Sequence, residues 1–350
     1  MSEENQTPEA KEVKNRIGLG KEDYNGLPST LCGGCGHDSI TRHIINAYYE
    51  MGIKPQTVAK LSGIGCSSKT PAYFLSKAHG FNAVHGRMPS VATGALLANK
   101  NLHLIGVSGD GDTASIGMGQ YVHMLRRNVE CVYIVEDNGV YGLTKGQFSA
   151  TADVGSVLKK GEVNEYPEID LCALAIQLGV GYVARSFSGD AKQMVPLIKG
   201  AIAHKGTAML DVISPCVTFN NHDGSTKSFT AVKKNDVALH EIGFHPYFET
   251  PEVSLKPGEQ REVELPDGSV ITLKKLDADH DPTNAIEALR LIEEAKSKGV
   301  LLTGLLYANP KANRPFTERN KLSNKPLSFM NENECRLSKE DFEKIQNRLR

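Results

Sequence analysis

The chain has 350 residues, 40 Lys and Arg against 41 Asp and Glu, a formal net charge of −1 and 40% hydrophobic residues. That length and apolar content suit a globular protein with a core of its own, and the balanced charge argues against a nucleic-acid or polyanion surface, which needs clustered Lys and Arg. No stretch reads as a membrane span and the polar N-terminus lacks a signal-peptide core, so a cytoplasmic location is expected; seven cysteines, an odd number, then read as metal ligands or buried thiols.

In chain order, residues 1–27 are charged, poor in large apolar residues, and expected to form an arm. Leu31 opens the informative region with C-G-G-C-G-H, after which Asp38 can cap a helix through Ile40, Ile44, Ile45 and Tyr48. Val58 to Ile64 is strand-like and ends in G-C-S-S, placing Cys66 at a sheet edge. Ala83 to His85 has the same character and leads into H-G-R and a helical pattern from Ser90. Leu102 to Val107 is an apolar strand that runs into S-G-D-G-D. A helical pattern follows from Ser115 to Arg127, and a second strand, Cys131 to Val135, runs on to Asn138. Helix, strand, helix and strand then alternate at Asp170–Leu178, Tyr182–Ser186, Ala191–Ala203 and Ala208–Ile213, and Cys216 follows directly. The alternation predicts an α/β fold with a mostly parallel sheet covered on both faces, assigned to residues 28–235. Residues 236–350 form an extension with a hairpin from Glu262 to Leu273 around Pro266-Asp267-Gly268, a helix from Asn284 to Ser297 and a polar tail. It is expected to pack on a partner subunit.

Two constellations carry chemistry. In the first, Gly109 and Gly111 let the backbone approach a ligand, and the N–H groups opening the next helix can hold a phosphate. Asp110 adds a carboxylate, so the anion must arrive with a cation. The Asn138 amide oxygen and the Val140 carbonyl, with two phosphate oxygens and a water, would complete the octahedron of Mg²⁺. The plainer alternative is a tight loop with Asp110 as a helix cap. In the second, Cys32, Cys35, Cys66 and Cys216 all fall near one sheet edge, where four thiolates can hold a [4Fe–4S] cluster or Zn²⁺; spacing does not separate the two. C-x-x-C also suits a thioredoxin-like pair. Cys131, Cys172 and Cys335 read as buried or incidental thiols. Lys145 and Lys69 adjoin these segments and could meet a substrate carboxylate, while His85 and Arg87 are candidates for polar contact.

G-D-G-D followed by one helix, one strand and D-N-x-V resembles the diphosphate-binding motif of thiamine diphosphate enzymes. Y-G-L-T-K-G-Q with C-G-G-C-G-H, G-I-G-C-S-S and S-P-C-V-T-F-N resembles the β subunit of 2-oxoacid:ferredoxin oxidoreductases, over roughly Leu31 to Asn221, and in particular their 2-oxoglutarate branch. The resemblance implies a thiamine diphosphate-binding fold, with Mg²⁺ on Asp110, Asn138 and Val140 and a [4Fe–4S] cluster on Cys32, Cys35, Cys66 and Cys216. Cofactor contacts are implied at Ile64, Gly65, Cys66, Ser67, His85, Gly111, Asp112, Gly142 and Leu143, and catalytic or substrate roles at Lys145, Lys69 and His85. Iron suits the chemistry better than zinc, because oxidising the intermediate left after loss of CO₂ releases two electrons that a cluster takes one at a time. No Glu stands in a motif that would serve the aminopyrimidine ring; the family places it on an α subunit. The implied partners are that subunit, in an αβ or (αβ)₂ assembly, coenzyme A, ferredoxin and 2-oxoglutarate. Two other 2-oxoacid enzymes, a pyruvate-using and a broad-specificity one, are alternatives. So are a non-catalytic zinc-binding α/β subunit and a non-redox thiamine decarboxylase or synthase.

Overall fold

A computed structural model describes residues 13–144, 146–158, 161–214, 252–264, 270–311 and 314–349. Lys145, Cys216 and the hairpin turn at Pro266–Gly268 lie outside these described residues. The elements run α1 (Gly36–Met51), β1 (Val58–Ser62), β2 (His79–Asn82), α2 (Met88–Ala98), β3 (His103–Gly109), α3 (Met118–Arg127), β4 (Cys131–Asp137), a small ribbon of β5 (Val140–Tyr141) and β6 (Gln147–Phe148), α4 (Leu171–Gln177), β7 (Tyr182–Phe187), α5 (Ala191–Ala203) and β8 (Thr207–Ile213). Then come β9 (Gln260–Glu264), β10 (Val270–Lys275), α6 (Ala285–Ser297) and β11 (Leu301–Ala308), before short C-terminal helices that end with α9 (Lys339–Arg348), preceded by α7 (Phe316–Arg319) and α8 (Glu332–Cys335).

Nine strands form one sheet in the order β2-β1-β3-β4-β8-β7-β11-β10-β9. The first six of that order are mutually parallel, while β11 runs antiparallel to β7 and β9 antiparallel to β10. Strand β4 is buried at every position, and its side chains alternate between two cores. Tyr133 and Val135 join Met88, Tyr121, Leu125 and Ile176 beneath α2, α3 and α4, whereas Val132 and Ile134 join Ile40, Ile44, Tyr48 and Ile198 beneath α1 and α5. A central strand covered on both faces thus reads as a continuous apolar run. Helix α1 follows its Ile40, Ile44 and Tyr48 stripe and stops at Gly52, whose φ of 58° is the left-handed cap geometry that glycine supplies.

The structure departs from the sequence reading in four places. Asp38 does not cap α1: Gly36 and His37 are already helical, so Cys35 is the N-cap and Asp38 sits in the first turn. Strand β2 is His79–Asn82 rather than Ala83–His85; as an edge strand exposed along its length it needs no apolar run. The helix expected from Ser115 is preceded by a wider π-type turn, Gly111–Ile116, and α3 begins only at Met118. Finally, the stretch after Ser297, read as a polar tail, holds β11, which is inserted into the sheet between β7 and β10. Its V-L-L-T-G-L-L run is the same buried-strand signature as β4. Among the described residues, no helix is long and apolar enough to cross a membrane.

Candidate active site

Because β1, β3 and β4 are parallel neighbours, their C-terminal ends open onto one rim of the sheet. A cleft lies there, lined by Ile64, Gly65, Cys66 and Ser67 after β1, by Gly109 to Asp112 after β3, and by Glu136, Asn138 and Val140 to Thr144 from β4 onward, with His37 and His85. This is the crevice where open α/β sheets bind ligands. It gathers every described residue expected to bind the cofactor or Mg²⁺. Lys69 is exposed on the 3-10 turn that follows Cys66 and does not line the cleft, and neither does the exposed Arg87.

The glycines of the turn are fixed by the chain's own packing as well as by any ligand. A Cβ on Gly109 would stand 2.8 Å from Ser67 Oγ, and one on Gly111 would stand 2.5 Å from the ring of Tyr141. The Tyr141 hydroxyl also donates to the Gly111 carbonyl at 3.0 Å, which pins the β5 ribbon over the turn.

Asp110 makes no side-chain cap bond, so the helix-cap alternative fails. Its carboxylate is buried and accepts from Thr151 Oγ1 at 3.0 Å and from the Ser149 hydroxyl. Thr151 Oγ1 also lies 2.9 Å from Asp137 Oδ1, so the strand ends of β3 and β4 share one hydroxyl. Asn138 Oδ1 accepts from Val140 N at 3.1 Å, an Asx turn completed by Gly139 at a φ of 73°. One carboxylate, one amide oxygen and one backbone carbonyl thus border the cleft, the hard oxygen set that Mg²⁺ takes together with phosphate oxygens. These residues fit thiamine diphosphate held through its diphosphate.

For the thiolates, Cys35 is buried at the start of α1 and its N–H donates to Cys32 O at 3.1 Å, while Cys32 is exposed. Burial pushes the Cys66 thiol up; a charge on Cys32 adds to this, Lys69 opposes it and Glu136 raises it further. Ser214, two residues before Cys216 in the sequence, places its hydroxyl 2.6 Å from His37 Nδ1 at the foot of α1. Among the described residues, no three His, Cys, Asp or Glu side chains close around a point as a metal site. Cys131 and Cys172 are buried thiols, Cys131 pushed up to about 12 by burial, and Cys335 is exposed.

Of the cleft residues missed in the sequence, two carry ionisable groups that are buried, Glu136 and His37. Glu136, fully buried, accepts from Thr70 Oγ1 at 3.0 Å through Oε2, and Oε1 has no partner among the described residues. Burial holds its carboxyl well above the usual range, and it pushes His37, 3.5 Å away, down to about 4. The available signal was a charged residue inside the apolar run C-V-Y-I-V-E-D, at the end of a strand buried on both faces.

Comparison with known proteins agrees with this geometry. The family described as "Thiamine pyrophosphate enzyme, C-terminal TPP binding domain" matches residues 63–212. A 2-oxoacid:ferredoxin oxidoreductase subunit beta from Saccharolobus solfataricus is 45% identical over 193 residues, 54% of this chain and 63% of that protein, so the chain spans a little under two thirds of that relative's length. A 2-oxoglutarate synthase subunit KorB from Methanocaldococcus jannaschii is 34% identical over 280 residues, covering 78% of this chain and 96% of the relative. A solved 2-oxoglutarate:ferredoxin oxidoreductase from Magnetococcus marinus, with 2-oxoglutarate, coenzyme A and succinyl-CoA bound, superposes with a TM-score of 0.68 at 29% identity over 87% of this chain and 92% of that one. With relatives matched over most of their length and the diphosphate-binding domain placed on the cleft just described, the chain belongs to the family of 2-oxoacid:ferredoxin oxidoreductase β subunits.

Proposed function

We propose that the chain is the β subunit of a 2-oxoglutarate:ferredoxin oxidoreductase that converts 2-oxoglutarate and coenzyme A to an acyl-CoA and CO₂, or runs the reverse, and exchanges electrons with ferredoxin through a [4Fe–4S] cluster. The observation that carries this reading is the single rim at which Asp110, Asn138 and Val140 meet the loop bearing Cys66. When bound, thiamine diphosphate supplies the carbanion chemistry that releases CO₂, and the cluster takes up electrons singly. In this reading Asp110, Asn138 and Val140 hold Mg²⁺ and the diphosphate, and Cys32, Cys35, Cys66 and Cys216 hold the cluster. Ile64 to Ser67, His85, Gly111, Asp112, Gly142 and Leu143 shape the pocket. Buried Glu136 and His37 line the wall of the cleft between the two groups.

In this reading Lys145 selects the second carboxylate of the substrate, and Lys69, exposed outside the cleft, draws anions toward it. The Glu for the aminopyrimidine ring comes from the α subunit, so the chain alone is inactive. Leu327, Phe329, Phe342 and Leu349, all exposed near the C-terminal end, support the reading that this end packs on that partner. Cysteines that hold an iron–sulfur cluster rather than disulfides make the cytoplasm the fitting compartment. The test is methyl-viologen reduction by the anaerobically purified complex with its α partner, comparing 2-oxoglutarate with pyruvate in the presence of coenzyme A. Dye reduction preferring 2-oxoglutarate is the expected outcome; none with any 2-oxoacid would contradict the proposal.

A further inference from the structure

Asp112 follows the diphosphate turn and is buried. Its carboxylate collects donors from three separate segments. One oxygen accepts from Ile64 N at 3.2 Å, from Gly86 N at 2.6 Å and from His85 Nδ1; the other accepts from the Ser108 hydroxyl. Three donors converge on one oxygen and a fourth holds the other, so the carboxylate is tied through both oxygens. The packing is tight enough that a methyl group on Gly63 would overlap Asp112 Oδ2.

The three segments belong to the two sides of the cleft. Ile64 is in the loop that carries Cys66, His85 lines the cofactor side, and Ser108 ends the strand that carries Asp110. His85 is held through its Nδ1 by this carboxylate. The His85 ring also meets Tyr141 edge-on at a centroid distance of 6.0 Å, beside the Gly111 carbonyl that Tyr141 holds.

We infer that Asp112 is a positioning residue that ties the Cys66 loop, the His85 ring and the diphosphate turn into one unit, so that the thiolate side and the cofactor side of the cleft are kept or lost together. This rests on the function proposed above. It assigns Asp112 to the chain's own donors, since both of its side-chain oxygens accept bonds from them.

The test uses the full chain co-purified anaerobically with its α partner, measuring iron per chain and thiamine diphosphate affinity with Mg²⁺. Asp112→Ala is expected to lower iron content and to weaken cofactor binding by about tenfold or more, as loss of a supporting contact does at metal sites. Asp112→Asn restores part of both, because its amide oxygen still accepts from Ile64 and Gly86 and its nitrogen can donate to Ser108. His85→Ala weakens cofactor binding alone. Should Asp112→Ala fail to fold, Gly63→Ala decides: it lies on the Cys66 side and carries no ligand, yet it is expected to weaken cofactor binding severalfold by displacing Asp112. Variants that keep both groups, or Asp112→Ala losing only one of them, would overturn the inference. A wild-type complex that takes up neither iron nor thiamine diphosphate would overturn the functional reading itself, which separates the two failures.

Discussion

Thr151 Oγ1 lies 3.0 Å from the carboxylate of Asp110, 41 residues earlier in the chain. The hydroxyl comes from the loop beyond the β5–β6 ribbon, and it bridges to Asp137 at the end of β4. It therefore fixes the candidate Mg²⁺ ligand from behind, the arrangement in which an outer contact sets the direction of an inner one. Thr151→Val keeps the shape and removes the donor. Titration calorimetry with thiamine diphosphate and Mg²⁺ is expected to show about tenfold weaker binding, on the order of 1.4 kcal/mol, with the unfolding midpoint little changed. Unaltered affinity would remove Thr151 from the site.

Cys66 stands where the two constellations are expected to meet, because it lines the cleft beside Asp110 and Asn138 and belongs to the proposed cluster set. Cys66→Ala is expected to lose most bound iron and nearly all turnover. Iron analysis beside the dye assay reads both. Full activity with wild-type iron would exclude Cys66 as a ligand.

Lys145→Ala is expected to lower kcat/KM for 2-oxoglutarate about tenfold or more while sparing pyruvate, since only the former has a second carboxylate to pair. Equal changes for both substrates would remove the lysine from specificity.

Lys60 gives a prediction on stability. It is buried in β1, its Nζ donating to Phe74 O at 2.5 Å, and burial pushes its amine down to about 8. The unfolded chain keeps a lysine near 10.4, so between those values it binds a proton the folded chain does not. Stability should therefore rise as pH climbs from about 8 to about 10, by an amount on the order of 1 kcal/mol after solvent screening. In urea unfolding, Lys60→Met should lack that rise relative to wild type. A parallel pH profile in the two proteins would count against it.

Much of this was legible because the sequence's signals are local. Gly-Asp-Gly-Asp and Asp-Asn-Gly-Val each form a strand end and a turn within a few residues, and parallel pairing of β3 with β4 then brings Asp110 and Asn138 to one rim. The hydrophobic periods of α5 and α6 likewise fixed those helices to within a residue, whereas α1 starts three residues before the helix that an Asp38 cap would open. What depends on distant partners stayed hidden. Glu136 looks like surface charge until β4 is seen to be covered on both faces, and the contacts of Asp112 come from residues up to 48 positions away. β11 was overlooked because an apolar run beyond a polar helix has no local mark that it re-enters the sheet beside β7.

The central claim is that a Mg²⁺-bound diphosphate and an iron–sulfur cluster share one rim of the sheet. The most direct measurement is the visible spectrum of the anaerobically purified complex with its α partner, recorded before and after 2-oxoglutarate is added in the presence of thiamine diphosphate, Mg²⁺ and coenzyme A. The expected result is a brown protein with iron and acid-labile sulfide in equal amounts, whose colour bleaches on adding the 2-oxoacid and fails to bleach without thiamine diphosphate. A colourless protein that holds zinc, or a brown one whose spectrum ignores the 2-oxoacid, would contradict it.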